Sequence, residues 1–287
     1  MFDVIIIGKG PAGITASIYI QRAGLNSLVI GKDLGALAKT DKIENYYGFK
    51  EPISGKELLE TGIKQAENLG SKIISEEVIS IGYEENFIVK TTKRIYNSTS
   101  LILATGSNRN SSNIKGIKEF EGKGISYCAV CDAFFYRGKD VAVLGSGDYA
   151  ISEAMELAPI AKSVTILTNG KKAPEYRSEN IKINENSVKE FIGNEKIDKI
   201  EFENNDKINI DGVFIAEGVA SSTDLAKKIG AETKNNNIIV NENQETNIKG
   251  MYACGDCTQG IKQITKAVYE GTKAGLEAVK FVRSQTK

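Results

Sequence analysis

Four cysteines stand in two pairs with the same two-residue gap, a spacing typical of sites that exchange disulfides or bind a metal. The pairs are Cys128 with Cys131 and Cys254 with Cys257. The chain has no histidine, so the commonest metal ligand and the commonest acid–base catalyst in proteins are both missing. Four cysteines can form a zinc site by themselves. The first pair therefore has three candidate roles: a metal site, a structural disulfide or an electron relay.

The residues around the first pair favour the relay. Disulfide exchange needs a thiolate, and a two-residue gap near a helix start lets one sulfur attack while the other resolves the mixed disulfide. Asp132 follows the pair directly and, without histidine, is the nearest titratable group that can give or take a proton. Phe134 and Phe135 come next, and core packing is one open interpretation for them because it is the more frequent place of aromatic side chains.

The opening segment predicts a strand, a glycine turn, an amphipathic helix and a second strand, in "FDVIIIGKGPAGITASIYIQRAGLNSLVIG". The turn has the form GxGxxG, which places the pyrophosphate of a dinucleotide at the N-terminus of the following helix. Its residues are Gly8, Gly10, Pro11, Ala12 and Gly13. The second strand ends in "LVIGKD" without an acidic residue at its tip, so the ribose contact is unassigned.

A second unit of the same design begins at "KDVAVLGSGDYA", where Gly145, Gly147 and Ala150 supply GxGxxA. The sequence therefore predicts an α/β fold with two Rossmann-like dinucleotide-binding domains, each a three-layer βαβ arrangement, the second inserted into the first. The predicted boundaries are 1–112 with 217–287 for the first domain and 113–216 for the inserted one. The C-terminal part predicts a short strand in "MYACGD" and a long helix over 264–282.

Composition excludes some functions. The 287 residues carry 37 basic and 37 acidic side chains, so no overall field favours nucleic acid or an anionic membrane. The first residues have neither a basic leader nor an apolar run long enough for a signal peptide or a membrane span. We therefore expect no nucleic-acid or membrane partner, and a cytoplasmic location.

Several motifs occur in a specific order that resembles the low-molecular-weight thioredoxin reductases, a family of two-domain flavoproteins. The motifs are "GKGPAG", "ENYYGF", "LILATG", "CAVCDAFFYRGK" directly before "VAVLGSGDYA", and "MYACGD". The resemblance covers nearly the whole chain. It disfavours a four-cysteine zinc site, because "CGDC" falls where the family has a Gly-Asp turn beside the flavin. Cys254 and Cys257 are then interpreted as small buried side chains.

The resemblance implies FAD as cofactor, a thioredoxin or thioredoxin-like protein as substrate, and a homodimer. Cys131 is then the sulfur nearer the flavin, Cys128 the one that exchanges with the substrate disulfide, and Asp132 the acid that manages protons. The resemblance also places Phe134 and Phe135 near the surface where thioredoxin docks. The glycine turn of the opening segment holds the pyrophosphate. The residues that the resemblance places along the flavin and its ribityl chain are Asn45, Thr105, Gly106, Gly255, Asp256 and Gln263.

The electron donor is where the chain departs from that family. Its familiar members bind NADPH with an HRRxxxR run, whereas this chain has "SVTILTNGKKAPEYRSEN", which offers only Lys171, Lys172 and Arg177. About forty residues follow Leu167 before "DGVFIAEG", which leaves little room for the strands that complete a nucleotide-binding sheet. Both features resemble the flavin-type ferredoxin-dependent thioredoxin reductases. The second glycine motif is therefore a doubtful nucleotide site.

We accordingly favour ferredoxin or a similar low-potential carrier as donor. The alternatives are an NADPH-dependent thioredoxin reductase, a flavin-binding redox sensor without turnover, and a ferredoxin or flavodoxin oxidoreductase, which has no need of the first cysteine pair.

Overall fold

The structure, a computed structural model, describes residues 1–107, 113–173, 175–176, 178 and 180–285. Its helices in chain order are α1 Pro11–Arg22, α2 Gly55–Asn68, α3 Ala129–Asp132, α4 Asp148–Leu157, α5 Ser222–Lys228 and α6 Ile264–Gln285. Its first strands are β1 Phe2–Ile7, β2 Ser27–Ile30, β3 Lys72–Ile74, β4 Val78–Tyr83, β5 Phe87–Thr91, β6 Ile95–Leu103, β7 Ile125–Ser126, β8 Asp140–Leu144 and β9 Ser163–Leu167. The later strands are β10 Ile181–Asn184, β11 Val188–Gly193, β12 Ile197–Phe202, β13 Lys207–Asn209, β14 Gly212–Ile215, β15 Thr233–Lys234, β16 Asn237–Ile238 and β17 Met251–Ala253.

The chain divides into two compact units. The discontinuous unit comprises Met1–Asn108 and Ser221–Lys287, and the inserted unit comprises Arg109–Ala220. The predicted boundary between residues 112 and 113 touches residues 108–112, which lie outside the described part of the chain.

The discontinuous unit is built on one seven-stranded sheet in the order β3-β2-β1-β6-β5-β4, with β17 also paired to β6. Strands β1, β2, β3, β6 and β17 pair in parallel, while β4 and β5 extend the sheet in antiparallel fashion. Residues 4–7 of β1 are all buried, as the continuous apolar run predicts for a strand covered on both faces. The carboxyl ends of the parallel strands therefore open onto one edge of this sheet.

Helices α1 and α6 pack against each other closely because small residues line their contact. A Cβ atom at Gly271 would lie 2.2 Å from the Ala12 carbonyl oxygen, and one at Gly275 would lie 2.8 Å from the Ala16 carbonyl oxygen. Apolar side chains from both helices join those of β1, β2 and β6 in a single core. This packing fixes the N-terminus of α1 against the sheet, where the first glycine turn lies.

The inserted unit holds a parallel sheet in the order β10-β9-β8-β14-β7 and a separate antiparallel sheet of β11, β12 and β13. Helix α4 follows β8 directly and packs against β8 and β9, which completes the second βαβ unit. The predicted α/β class with two βαβ sheets is thus confirmed, and the predicted α1 start and C-terminal helix agree with the structure.

The expectation about the short connection needs a correction. The segment after Leu167 supplies β10, which joins the five-stranded parallel sheet, and also β11, β12 and β13, which form the antiparallel sheet. The shortening falls instead on the link between the parallel neighbours β9 and β10, which has no helix in its described residues 168–173, 175–176, 178 and 180. Parallel strands are usually joined through such a helix. Throughout the chain, none of the described helices is long and apolar enough to cross a bilayer.

Candidate functional site

The first cysteine pair lies at the start of the short helix α3 and is joined in a disulfide. Cys128 is the N-cap of α3, and its Cα lies 5.3 Å from that of Cys131. The Cys131 N–H donates to the Cys128 sulfur at 3.2 Å. Since Cys128 and Cys131 share a bond, a zinc site built on both sulfurs does not fit this state, and the described residues contain no group of three or more candidate metal ligands.

The two sulfurs differ in access. Cys128 is 3% exposed, whereas Cys131 is an exposed residue. Disulfide exchange depends on which sulfur an incoming thiolate can reach. The family resemblance implies that Cys128 exchanges with the protein substrate, but Cys128 is the less exposed of the two cysteines.

Asp132 is held next to the pair by a serine that the sequence analysis did not single out. The Ser126 hydroxyl donates to Asp132 Oδ2 at 2.6 Å and accepts from the Cys128 N–H at 3.1 Å. The carboxylate is therefore tied to the backbone of Cys128 through one hydroxyl. This places Asp132 where the sequence analysis expects an acid, beside the disulfide, with a fixed orientation.

A second carboxylate accepts a hydrogen bond from the backbone of α3. Glu153, on α4, is 1% exposed, and its Oε2 accepts from the Ala129 N–H at 2.8 Å. Sequence reasoning missed this residue, although a signal exists: Glu153 stands among the buried positions Ala150, Ala154 and Leu157 of α4. A charged residue on the buried face of a helix is unusual and generally has a specific partner.

Three apolar side chains close to Cys131 in the sequence are exposed. Val130 is 50% exposed, Phe134 71% and Phe135 67%. The two phenylalanines are therefore not core residues, although that is the more frequent place of aromatic side chains. Burial, Asp132 and Asp211 raise the pKa of Tyr136, the next aromatic residue, whose ring packs on Phe214. Exposed large apolar groups in one cluster are typical of a surface that contacts another protein.

The first glycine turn lies at the carboxyl edge of the discontinuous sheet, between β1 and α1. Gly8 has φ +114°, and a Cβ there would lie 2.2 Å from the Ala104 carbonyl oxygen. A Cβ on Gly13 would lie 2.0 Å from the Gly8 carbonyl oxygen, so both positions require glycine for packing. A Cβ on Gly10, in contrast, would have no atom of the described residues within 4 Å. The turn thus leaves open space at the start of α1.

Three strand ends meet at this edge. The Gly8 N–H donates to Ile30 O at 2.7 Å, the Ala104 N–H to Ile7 O at 2.7 Å, and the Cys254 N–H to Leu103 O at 3.0 Å. The structure therefore brings together the sequence-predicted residues that follow these strands. They are Gly8, Gly10, Pro11, Ala12 and Gly13 after β1, Thr105 and Gly106 after β6, and Gly255 and Asp256 after β17.

Two other predicted flavin-side residues also meet. The Asn45 amide donates to Gln263 Oε1 at 3.2 Å, although the two residues are 218 positions apart, and both are exposed. The Thr105 hydroxyl oxygen is buried and lacks a hydrogen-bond partner within the described part of the chain. A buried hydroxyl without a partner at such an edge is a position for a bound polar group.

A buried ion pair that sequence reasoning missed supports the turn after β17. Glu270 Oε2, on α6, accepts from the Gly255 N–H at 2.8 Å and from the Thr258 hydroxyl at 2.9 Å. The Lys266 ammonium donates to Gly255 O, Thr258 Oγ1 and the same Glu270 oxygen at 2.8–3.0 Å. Lys266 and Glu270 stand four residues apart on α6, a spacing that could have predicted the pair.

The second cysteine pair lies within this turn and is not a disulfide. Cys254 and Cys257 are free and fully buried. Burial raises the pKa of the Cys254 thiol well above its usual value, and burial raises the pKa of Cys257 to about 12. The Cys257 thiol donates to the carbonyl oxygens of Cys254 and Leu103. Thiols that stay protonated and buried do not attack disulfides, so these cysteines are packing residues.

The second glycine turn has the backbone of a dinucleotide site, but the helix that follows it begins with an acidic residue. A Cβ on Gly145 would lie 2.2 Å from Ala216 O, and one on Gly147 would have only Gly218 O, at 3.8 Å, nearby among the described residues. Ala150 is buried. Helix α4, however, begins with the exposed Asp148, whereas the first turn of α1 has no acidic residue. Negative charge at a helix start opposes a bound phosphate.

The loop after β9 is a tight turn without arginine in its described residues. The Thr168 hydroxyl donates to Lys171 O at 2.6 Å, and Asn169 has φ 54°. Lys171 and Lys172 are exposed. Arg177 lies outside the described residues.

The fold and these sites define a class: an α/β oxidoreductase with two dinucleotide-type units and a redox-active disulfide. Residues 2–271 match the family model described as pyridine nucleotide-disulphide oxidoreductase. The chain belongs to this family, and it is an oxidoreductase that acts on a sulfur group and has FAD as its cofactor.

Several characterised proteins are similar over their full length. Thioredoxin reductase of Aquifex aeolicus is 35% identical over 100% of this chain and 95% of its own. The crystal structure of the atypical thioredoxin reductase TRi from Desulfovibrio vulgaris Hildenborough is 37% identical, covers 99% of both chains and superposes with a TM-score of 0.93. A ferredoxin-flavin thioredoxin reductase from Clostridium acetobutylicum is 34% identical, covers 100% of this chain and 99% of its own, and has a TM-score of 0.71.

The residues of the discontinuous unit fit FAD. Open space beside Gly10 lies next to the N-terminus of α1, whose first turn carries no negative charge and whose N-cap has no side-chain hydrogen bond. These are the features that bind a pyrophosphate. The partnerless Thr105 hydroxyl and the exposed Asn45 and Gln263 amides are polar groups of the kind that contact a flavin.

Proposed function

We propose that the chain reduces the disulfide of thioredoxin or a thioredoxin-like protein through FAD and the Cys128–Cys131 pair. The single observation that carries this proposal is the disulfide with one exposed residue, Cys131, which has exposed apolar residues before and after it in the sequence. A small-molecule disulfide does not need such an apolar surface, whereas a protein substrate does. The relatives named as thioredoxin reductases support the choice of substrate.

We also assign one role to each of the two units. The FAD domain consists of 1–112 and 217–287, and the redox domain is the inserted 113–216. FAD is held by the first glycine turn, with Asn45, Thr105, Gly106, Gly255, Asp256 and Gln263 as further contacts. When bound, FAD supplies a group that takes up two electrons and passes them on.

The cysteines exchange in a fixed order. Two electrons and two protons break the Cys128–Cys131 bond and leave two thiols. Exposure supports Cys131, rather than Cys128, as the thiolate that attacks the partner's disulfide, forms a mixed disulfide and releases one partner thiolate. Cys128 then attacks the Cys131 sulfur, which re-forms the internal disulfide and releases the second partner thiol. Asp132, oriented by Ser126, gives or takes the protons.

The electron donor is a ferredoxin or a similar low-potential protein. Two observations support this choice over NADPH. Asp148 stands at the start of α4, where the nucleotide pyrophosphate would bind, and the loop after β9 presents Lys171 and Lys172 in place of an arginine cluster. The similarity to a protein named as a ferredoxin-flavin thioredoxin reductase agrees with it. On this proposal Gly145, Gly147 and Ala150 serve close packing of strand and helix.

An anaerobic titration tests both the proposed electron donor and the proposed reduction of thioredoxin. Reduced ferredoxin is added to the oxidised holoprotein and the flavin absorbance is followed; NADPH and NADH are added to matched samples. We expect bleaching with ferredoxin and none with either nucleotide. Prompt bleaching by NADPH would establish the NADPH-dependent alternative. Thiol titration of an added thioredoxin then measures disulfide reduction, and a flavin that bleaches without producing thioredoxin thiols would indicate a redox sensor.

A further inference from the structure

The Glu153 carboxylate takes a position next to the redox disulfide that the exchange chemistry does not require. Its Oε2 accepts from the Ala129 N–H, and Ala129 directly follows Cys128. Glu153 is 1% exposed and Ala129 is fully buried, so solvent does not screen this contact. A negative charge is therefore held within one residue of the Cys128 sulfur.

Three backbone N–H groups near the start of α3 already have hydrogen-bond acceptors. The Cys131 N–H points to the Cys128 sulfur, and the Cys128 N–H points to Ser126. The Ala129 N–H, on the residue that follows Cys128, donates to Glu153. Reduction of the disulfide puts negative charge on sulfur whenever one of the two thiols ionises. Glu153 disfavours that charge in two ways, by repulsion and by occupying a donor.

We propose that Glu153 is a positioning residue that lowers the reduction potential of the Cys128–Cys131 pair. The proposal rests on the proposed function, because it concerns the same pair. A lower potential makes the reduced pair a stronger reductant towards a protein disulfide. The carboxylate also anchors α3 to α4, which holds Cys131 at the surface while Cys128 stays buried.

The test compares three forms of the FAD-loaded protein: the parent, Glu153→Gln and Glu156→Gln. Glutamine keeps an oxygen that accepts the Ala129 N–H but removes the charge. Glu156 is an exposed carboxylate on the same helix and controls for net charge. Each protein is equilibrated anaerobically with mixtures of reduced and oxidised dithiothreitol. Free thiols are then blocked with a maleimide, and the peptide that holds Cys128 and Cys131 is quantified by mass spectrometry.

We expect Glu153→Gln to shift the dithiol–disulfide equilibrium at least tenfold towards the dithiol, which is about 30 mV for a two-electron couple. Alkylation of its reduced pair by iodoacetamide at neutral pH is also expected to be several times faster than in the parent. Glu156→Gln should match the parent in both measurements. An unchanged potential in Glu153→Gln, with flavin content and circular dichroism like the parent, would overturn the proposal.

A folding defect would not end the test. If Glu153→Gln does not fold, Glu153→Asp keeps the charge but withdraws it by one methylene, and we expect a smaller shift in the same direction. No shift there overturns the proposal as well. Thioredoxin reduction by the parent is measured in parallel: its absence argues against the proposed function, whereas an active parent with an unshifted Glu153 variant argues only against the role of Glu153.

Discussion

Cys128 and Cys131 are bonded to each other but differ in access, because Cys128 is buried as the N-cap of α3 and Cys131 lies at the surface. The proposed order of exchange, in which an approaching protein thiol or disulfide meets Cys131 first, rests on this difference in access. The family resemblance alone implies the opposite order, and a direct experiment distinguishes the two.

The first prediction concerns single-cysteine variants. A thioredoxin with one active-site cysteine, activated as its thionitrobenzoate disulfide, is mixed with Cys128→Ser or Cys131→Ser. We expect Cys128→Ser, which retains the exposed thiol, to form the mixed disulfide at least about tenfold faster, since exchange rates depend on access. Release of thionitrobenzoate gives the rate and intact mass identifies the adduct. Equal rates, or a faster Cys131→Ser, would restore Cys128 as the exchanging sulfur.

The second prediction concerns the buried pair. In the folded protein, a maleimide should label no cysteine when oxidised and only the exposed Cys131 rapidly after mild reduction, because Cys128, Cys254 and Cys257 are buried. Unfolding should expose the remaining three. Labelling of Cys254 or Cys257 in the folded protein, at a rate like that of a free thiol, would contradict their assignment as packing residues.

The same pair has a consequence for alkaline stability. In the unfolded chain the Cys257 thiol ionises near its ordinary pKa of 9.0, whereas burial raises its pKa in the folded chain to about 12. The folded state then binds more protons, so the stabilising contribution is complete below about pH 9 and is lost as the pH rises towards 12. We expect Cys257→Ala to weaken the decline of the urea midpoint between about pH 9 and 10.5, a range set by that shift. Parallel declines in both proteins would contradict the prediction.

The fourth prediction separates packing glycines from the open one in the first turn. Gly10→Val should fold, because φ −78° and ψ −177° suit a β-branched residue and no described atom lies within 4 Å of its Cβ. Its side chain fills the space proposed for the pyrophosphate, so we expect FAD affinity to fall by at least about a hundredfold, the scale of several lost charge-assisted hydrogen bonds. Flavin fluorescence on dilution measures this affinity.

Gly8→Ala is the matched comparison. It places a methyl group against Ala104 O at φ +114°, so we expect it to destabilise the protein itself by about 2–4 kcal/mol. Gly10→Val is thus expected to weaken FAD binding, whereas Gly8→Ala is expected to lower the stability of the fold. If Gly10→Val retained parental FAD affinity, the proposed pyrophosphate position would be wrong.

Much of this architecture follows from local patterns. The buried run of β1, the glycine turn and the apolar periodicity of α6 are short-range signals, and the helix predicted over 264–282 begins where α6 begins. Pro11 fixes the start of α1 because its missing N–H is not needed at the first helical position. Strand order between β1, β6 and β17 depends on contacts far apart in sequence, which no local pattern encodes.

The residues of the candidate site also divide into those that local sequence patterns predict and those that they do not. Cys128, Cys131 and Asp132 are recognisable because their chemistry depends on spacing along the chain. Ser126 and Glu153 are not, since their roles depend on hydrogen bonds formed only when the chain around α3 folds and packs on α4. Phe134 and Phe135 depart from the expected core position for a related reason: hydrophobicity predicts burial on average, whereas an interaction surface is an exception.

The last prediction concerns the ion pair beneath the turn after β17. Glu270 and Lys266 are both largely buried and share hydrogen bonds with Gly255 and Thr258. Removing one member leaves the other charge buried without compensation, which commonly costs about 3–5 kcal/mol. Glutamine retains part of the hydrogen bonding, so we expect Glu270→Gln to lower the free energy of unfolding by about 2–4 kcal/mol, measured in urea without FAD.

A matched control is Glu60→Gln, which breaks the exposed pair with Lys56 at the same four-residue spacing and should cost less than about 1 kcal/mol. Because the Glu270 carboxylate also binds the Gly255 N–H, Glu270→Gln is expected to loosen the turn and weaken FAD binding in addition. A double variant, Lys266→Met with Glu270→Leu, removes both charges together and should recover much of the stability of the apoprotein but not its FAD affinity. Full recovery of FAD affinity would show that the pair stabilises the fold without orienting the turn.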